Sequence, residues 1–201
     1  RKKAMKARKV NLKFFPEGGN LVKGVPSQVA FEATDAYGNP ITLFGRIINR
    51  RKEEIGHFAT IHEGRGVFTY IPTGEDADKA EVELGGKKYR FDLPEVCSQG
   101  YVLHVDNLTS EDSIAVSVQK NTYTPSNLLG LAVIAHGKLL NSCLLNVGKN
   151  TPVSFKLDKS EWTPGVVQLV LFDTAGQIIA DRLVFTRKPE LLAVDVRKSK
   201  E

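Results

Sequence analysis

Apolar and polar residues alternate at period two through most of this chain, in short segments cut by Gly, Asn and Pro turns. In Gln28–Asp35, for example, Val29, Phe31 and Ala33 fall on one face. Such alternation specifies half-buried antiparallel strands. No stretch shows helical periodicity of comparable quality. The first half reads as strands at Val10–Phe15, Gln28–Asp35, Ile41–Arg50, Glu54–His62, Val67–Ile71, Ala80–Leu84 and Lys88–Leu93. Pro94–Gly100 carries no period and reads as a seam. Beyond it come Tyr101–Asp106, Ser113–Gln119, Leu128–His136, Leu139–Leu145, Val153–Asp158, Val166–Phe172 and Gln177–Phe185. Leu128–His136 is apolar on both faces, as a central strand would be.

Seven strands on each side of a seam is the count of two sandwiches. The pattern therefore predicts an all-β chain of two tandem antiparallel β-sandwiches, over 10–94 and 95–188. Residues 1–9 form a basic linker. Residues 189–201 are a linker or, through Leu191–Val196, the first strand of a further domain. The chain opens on Arg1 rather than Met, and no apolar stretch follows Arg1–Lys9. A piece of a longer polypeptide is the expectation, with any targeting signal upstream.

Composition changes this picture little. The 201 residues carry a formal net charge of +5. Six of the first nine residues are Lys or Arg, and Arg197, Lys198 and Lys200 crowd the other end. The body between is slightly acidic. A nucleic-acid partner needs basic charge on a folded face with interleaved aromatics, so none is expected. The longest apolar run falls far short of the ~20 residues of a membrane helix, so no span is expected.

Candidate chemistry is sparse. His57 and His62 are five apart, hence on opposite faces of a regular strand, and no Cys or carboxylate completes a zinc pattern. Asp76 and Asp78 lack the ligand order of calcium loops and read as a solvated loop. Gly64-Arg65-Gly66 runs from strand to strand, which makes it a hairpin turn rather than a phosphate cradle. Asn107-Leu108-Thr109 fits the glycosylation acceptor pattern, which has meaning only in a eukaryotic secretory protein. Cys97 and Cys143 read as buried free thiols, with one inter-sheet bridge as the alternative. No catalytic residue, cofactor or metal is expected. Most aromatics, Phe15 and Phe185 included, read as core filling. Tyr37, Tyr123 and Trp162 lie in turns and are the possible ligand or partner contacts, although a Trp beside Pro164 also suits the covering of a sandwich end.

Several clusters resemble a known family. Phe14-Phe15-Pro16-Glu17-Gly18-Gly19-Asn20-Leu21-Val22, Val29-Ala30-Phe31-Glu32-Ala33 with Gly38-Asn39-Pro40, and His62-Glu63-Gly64-Arg65-Gly66-Val67-Phe68-Thr69-Tyr70 resemble a macroglobulin-like (MG2-type) domain. Gly165–Asp173 with Gly176 and Asp181–Phe185 resembles a second. The resemblance is to α2-macroglobulin-like sandwiches strung together in large proteins of the Gram-negative envelope, sometimes beside TonB-dependent receptor plug segments. It implies tandem immunoglobulin-like, macroglobulin-like sandwiches and a periplasmic or outer-membrane-associated location. The family's trapping chemistry uses a Cys-Gly-Glu-Gln thioester, and neither Cys97-Ser98-Gln99 nor Cys143-Leu144-Leu145 matches it.

The expected function is a non-catalytic structural and docking module pair. Its partners would be other domains of the same polypeptide and an envelope protein, met through sandwich edges or through loops such as Tyr37–Pro40 and Asn121–Asn127. Glycan binding through loop aromatics is one alternative. Accessory domains of a larger hydrolase are another.

Overall fold

The computed structural model describes residues 10–74, 78–149 and 151–187. Among them all regular structure is strand, with no helix. In the first half, β1 (Asn11–Pro16), β3 (Ser27–Thr34) and β6 (Arg65–Tyr70) form a three-stranded sheet in the order β1-β3-β6. It packs on a four-stranded sheet of β4 (Phe44–Ile48), β5 (Glu54–Ala59), β7 (Lys79–Leu84) and β8 (Lys87–Asp92), ordered β5-β4-β7-β8. In the second half, β10 (Tyr101–Asp106), β11 (Ser113–Lys120) and β14 (Val153–Asp158) pack on β12 (Leu128–Ala135), β13 (Lys138–Asn146), β15 (Gly165–Phe172) and β16 (Ile178–Thr186). The orders are β10-β11-β14 and β13-β12-β15-β16, so the second sandwich repeats the topology of the first strand for strand. In both, the fourth long strand pairs with the third, unlike the constant-type immunoglobulin arrangement, where it joins the opposite sheet. The remaining pair, β2 (Leu21–Val22) and β9 (Val96–Cys97), is parallel.

Alternation produces the cores. In β3, Val29, Phe31 and Ala33 are buried, and in β11 so are Ile114, Val116 and Val118. The first core is built around Phe14, Phe31, Phe58 and Phe68, whose ring centroids lie 5.0 to 6.2 Å apart. Edge-to-face contacts dominate, as the ring quadrupole favours. Two of these rings lie over glycines on the neighbouring strand. A Cβ on Gly45 would sit 2.3 Å from Phe58 Cζ, and one on Gly66 would sit 2.6 Å from Phe31 Cε1. Gly45 pairs with Phe58, and Phe31 with Gly66. The second core joins Leu103, Leu129, Leu131, Leu169 and Leu171 with Trp162. The two cores share no residue.

Several local expectations change. The third strand is shorter than its apolar run, since only Phe44–Ile48 pairs. Residues 62–65 do make a tight turn, with Glu63 and Gly64 both at positive φ. The strands on either side then diverge into opposite sheets, so the turn closes no regular hairpin. Phe15 and Phe185 are exposed rather than core-filling, because their strands turn them outward. Asp78 is buried and accepts a hydrogen bond from Tyr70 Oη at 2.6 Å, so it is no solvated loop residue. Burial, and then the hydrogen bond to that carboxylate, push the Tyr70 phenol well above its ordinary range. Leu191–Val196, Asp76 and residues 1–9 lie outside the described residues.

Candidate functional site: the junction between the sandwiches

Polar groups concentrate where the sandwiches meet. The turn after β1 carries Glu17 and Gly18 onto the second sandwich. Gly18 has φ +75°, and a Cβ there would lie 3.4 to 3.5 Å from Leu103 and Ala180, so the backbone seats closely on β10 and β16. Glu17 is 9 % exposed at its side chain. Its Oε1 accepts from the Val105 amide and from Arg182 Nε, both at 3.1 Å, and its Oε2 lies 2.6 Å from His104 Nδ1. One carboxylate of the first sandwich thus holds two strands of the second. Such charge-assisted bonds are the strong ones.

A second contact forms at β2. Val22, Val25 and Val102 make a small apolar cluster spanning the junction. The Lys23 amide donates to the Cys97 carbonyl at 2.9 Å, continuing the β2–β9 pairing. Asn121, buried in the loop after β11, donates from Nδ2 to the carbonyls of Ser98 at 2.7 Å and Lys23 at 3.2 Å. The Thr124 hydroxyl accepts from the Gly100 amide and donates to Asn121 Oδ1, both at 2.7 Å. The amide of Asn121 therefore ties β2, the seam and its own loop together.

Lys120 anchors that loop from beneath. It is fully buried, and its ammonium donates to the carbonyls of Thr124 at 2.8 Å and Ser126 at 2.9 Å and to Asn127 Oδ1. All three protons are satisfied by uncharged oxygens. Tyr101 Oη also donates to the Ser126 carbonyl, at 2.7 Å. The 121–127 loop is a fixed platform.

Tyr123 rides on that platform, 60 % exposed. It lines an open cleft of about 300 Å³ with Lys23, Gly24, Ile71, Pro72, Thr73, Asn121 and Thr122. Lys23 Nζ stands 6.0 Å from the Tyr123 ring centroid, the outer range of a cation–π contact. Tyr37 is 90 % exposed on the turn between β3 and β4, at the end of β3 away from the junction cluster. Trp162 is buried in the second core, in the loop between β14 and β15. The fold therefore brings none of the three turn aromatics together.

Other candidates resolve into structural roles. His57 stacks on Phe44, ring centroids 6.0 Å apart, and His62 is exposed beside Glu63. Among the described residues, no three His, Cys, Asp or Glu side chains converge as a metal site would require. Asn107 donates to the Phe185 carbonyl at 2.8 Å and accepts from Lys159 Nζ at 2.8 Å. Cys97 and Cys143 are free and half-buried, and burial pushes the Cys143 thiol up. No described helix is long and apolar enough to cross a membrane. Glu17 and Lys120 were not singled out from the sequence. Glu17 sits in what reads as a turn, and no local signal betrays its partners. Lys120 did have one, because it shares the parity of Ile114, Val116 and Val118.

No protein-family model matches the chain, and no curated relative does. Among solved structures, it is similar to the native conformation of E. coli alpha-2-macroglobulin, with 15 % identity, 87 % of this chain and 14 % of that one covered, and a TM-score of 0.30. The BSP domain of a biofilm-associated protein gives 11 % identity, coverage of 90 % and 30 %, and a TM-score of 0.38. Domains 4–9 of the surface layer protein SbsC give 12 %, 90 % and 31 %, and 0.39. The chain spans less than a third of the length of each. At these scores the likeness adds nothing to the fold read from the sheets.

Proposed function

We propose that this chain is a non-catalytic spacer and docking unit of a larger extracytoplasmic protein. The observation that carries the reading is the junction. Two sandwiches of identical topology are joined through a buried carboxylate, a buried amide and a three-residue apolar cluster. Groups so fully engaged with each other hold geometry rather than perform chemistry. The seam at 94–100 divides the unit, and Glu17 and Asn121 set the angle across it. The macroglobulin-like resemblance supports a place in the bacterial envelope, periplasmic or outer-membrane-associated. Small-angle scattering tests the spacer role. The wild-type chain should scatter as one fixed shape, and Glu17→Gln should broaden its distance distribution. A wild type as broad as the variant would contradict the reading.

A second reading rests on the cleft. The Tyr123 ring with Lys23 and the Thr73 and Thr122 hydroxyls offers a stacking face and polar rim suited to a saccharide. Saccharide titration with loss of signal on Tyr123→Ala would support it. No signal from the wild type would dismiss it.

A further inference from the structure

The outer face of the sheet β13-β12-β15-β16 is apolar. Leu129, Leu131 and Val133 of β12 and Val167, Leu169 and Leu171 of β15 point into the core, so the residues between them point outward. The register arranges these in rows across the sheet. One row is Leu144, Gly130, Phe172, Ile178; the next is Ser142, Ala132, Val170, Asp181; the third is Leu139, Ile134, Gln168, Leu183. Leu144, Ile178, Leu139 and Leu183 are 76, 69, 62 and 56 % exposed. Val166 and Phe185, paired beyond the third row, are also more than half exposed. The only charge in the rows is Asp181, which accepts from Gln168 Nε2 at 3.1 Å.

The first sandwich supplies an internal comparison. In its topologically equivalent sheet the middle row is His57, Arg46, Glu81, Arg90. There Glu81 is gripped by Arg46 at 2.6 Å and Arg90 at 2.8 Å. Same topology and same position thus carry opposite chemistry. Six large apolar side chains of this one face are each over half exposed. Scattered single apolar residues need no explanation, but a gathering of them on one sheet face points to an interaction site.

The rows are also self-complementary. A two-fold axis parallel to the strands lays β13 of one copy over β16 of the other. Leu144 then meets Ile178, Ser142 meets Asp181, Leu139 meets Leu183, and Ala132 meets Val170. Only Gln168 faces an unlike residue, Ile134, and its amide is already engaged by Asp181. An axis across the strands would instead set β16 on β16 and bring the two Asp181 carboxylates together.

We propose that a second copy of this chain covers this face, forming a two-fold dimer by stacking these sheets. The proposal rests on reading the chain as a docking unit and names its docking surface and partner. In the middle row Ser142 hydroxyls donate to the Asp181 carboxylates of the opposite copy at the two edges of the interface, and Ala132 meets Val170 at its centre.

Sedimentation equilibrium of the 201-residue chain tests it. The wild type should be dimeric. Leu144→Lys or Leu183→Lys, each at an exposed position that folding does not need, should raise the dissociation constant roughly 100-fold, since each change enters the interface twice. Ile61→Lys, on the first sandwich, should leave it unchanged. Ser142→Cys with Asp181→Cys, in a Cys97→Ser, Cys143→Ser background, should give a covalent dimer with a bifunctional thiol reagent whose reach matches the ~10 Å between stacked sheets. Within one chain those positions are three strand spacings apart, about 14 Å, too far for that reagent to join them. A wild type monomeric into the hundred-micromolar range overturns the proposal, and leaves the face to another part of the parent polypeptide or to another protein. A dimer that survives both lysines and gives no cross-link overturns it equally. Either failure leaves the Glu17 junction test untouched.

Discussion

Glu17 reaches from the first sandwich to Arg182 of the second, Oε1 to Nε 3.1 Å, across 165 positions of sequence. The carboxylate is almost buried and the guanidinium about half exposed, so the bond closes the junction at its rim.

Replacing that carboxylate tests how much the junction contributes. Glu17→Gln keeps the volume but removes the charge facing Arg182 and His104. Hydrogen bonds to charged groups are worth about 1.5–3 kcal/mol each, so a loss of roughly 2 kcal/mol is expected. Urea unfolding should show it, with the largest effect on contacts between the sandwiches. A variant of wild-type stability would mean that the bond is incidental.

Lys120→Met keeps a long buried chain but strands the buried Thr124 carbonyl, while the exposed Ser126 keeps its bond from Tyr101 and the exposed Asn127 can turn to water. A buried unsatisfied group costs about 1–3 kcal/mol, partly offset here because no ammonium need be desolvated. A net loss of roughly 1–2 kcal/mol is expected. Amide exchange at 121–127 should quicken before the rest of the second sandwich responds.

Gly45→Ala drives a methyl into the Phe58 ring, 2.3 Å from Cζ. Overpacking of this kind costs roughly 1–3 kcal/mol. Gly148→Ala, where a Cβ meets nothing within 4 Å, is the control and should be neutral. Equal thermal midpoints for the two variants would contradict the packing account.

Glu81 gives the fold an acid dependence. Hydrogen bonds from Arg46, then from Arg90, pull its carboxyl from 4.5 down to about 2. A depressed carboxyl stabilises the fold fully above its unfolded value, and that stability fades as pH falls from about 4.5 through about 2. Glu81→Gln should therefore lose less of its own stability than the wild type between those two pH values, while being weaker near neutrality. Urea midpoints across that range decide it. Parallel curves for the two proteins would remove Glu81 from the acid response.

The strands were legible because burial is local to each one. The parity of Val29, Phe31 and Ala33, or of Tyr101, Leu103 and Val105, follows from the pleat alone. Leu128–His136 announced itself as a central strand, but its outer row acquires meaning only once Leu144 and Ile178 are known to lie beside it. β2 and β9 escaped because two residues carry no period. Lys120 stands on the buried parity of β11, one residue past the Ser113–Gln119 alternation read from the sequence. Glu17 was hidden for a different reason: its value lies in His104 and Arg182, which only the closed junction brings near. Contacts so distant in sequence leave no local pattern.

The central claim is that the two sandwiches hold one fixed relation through this junction. Residual dipolar couplings measured on the weakly aligned chain test it most directly. Amides of β3 and β11 should fit a single alignment tensor in the orientation described here, and Glu17→Gln should split the fit into two tensors of unequal magnitude. Two independent tensors in the wild type would contradict the account.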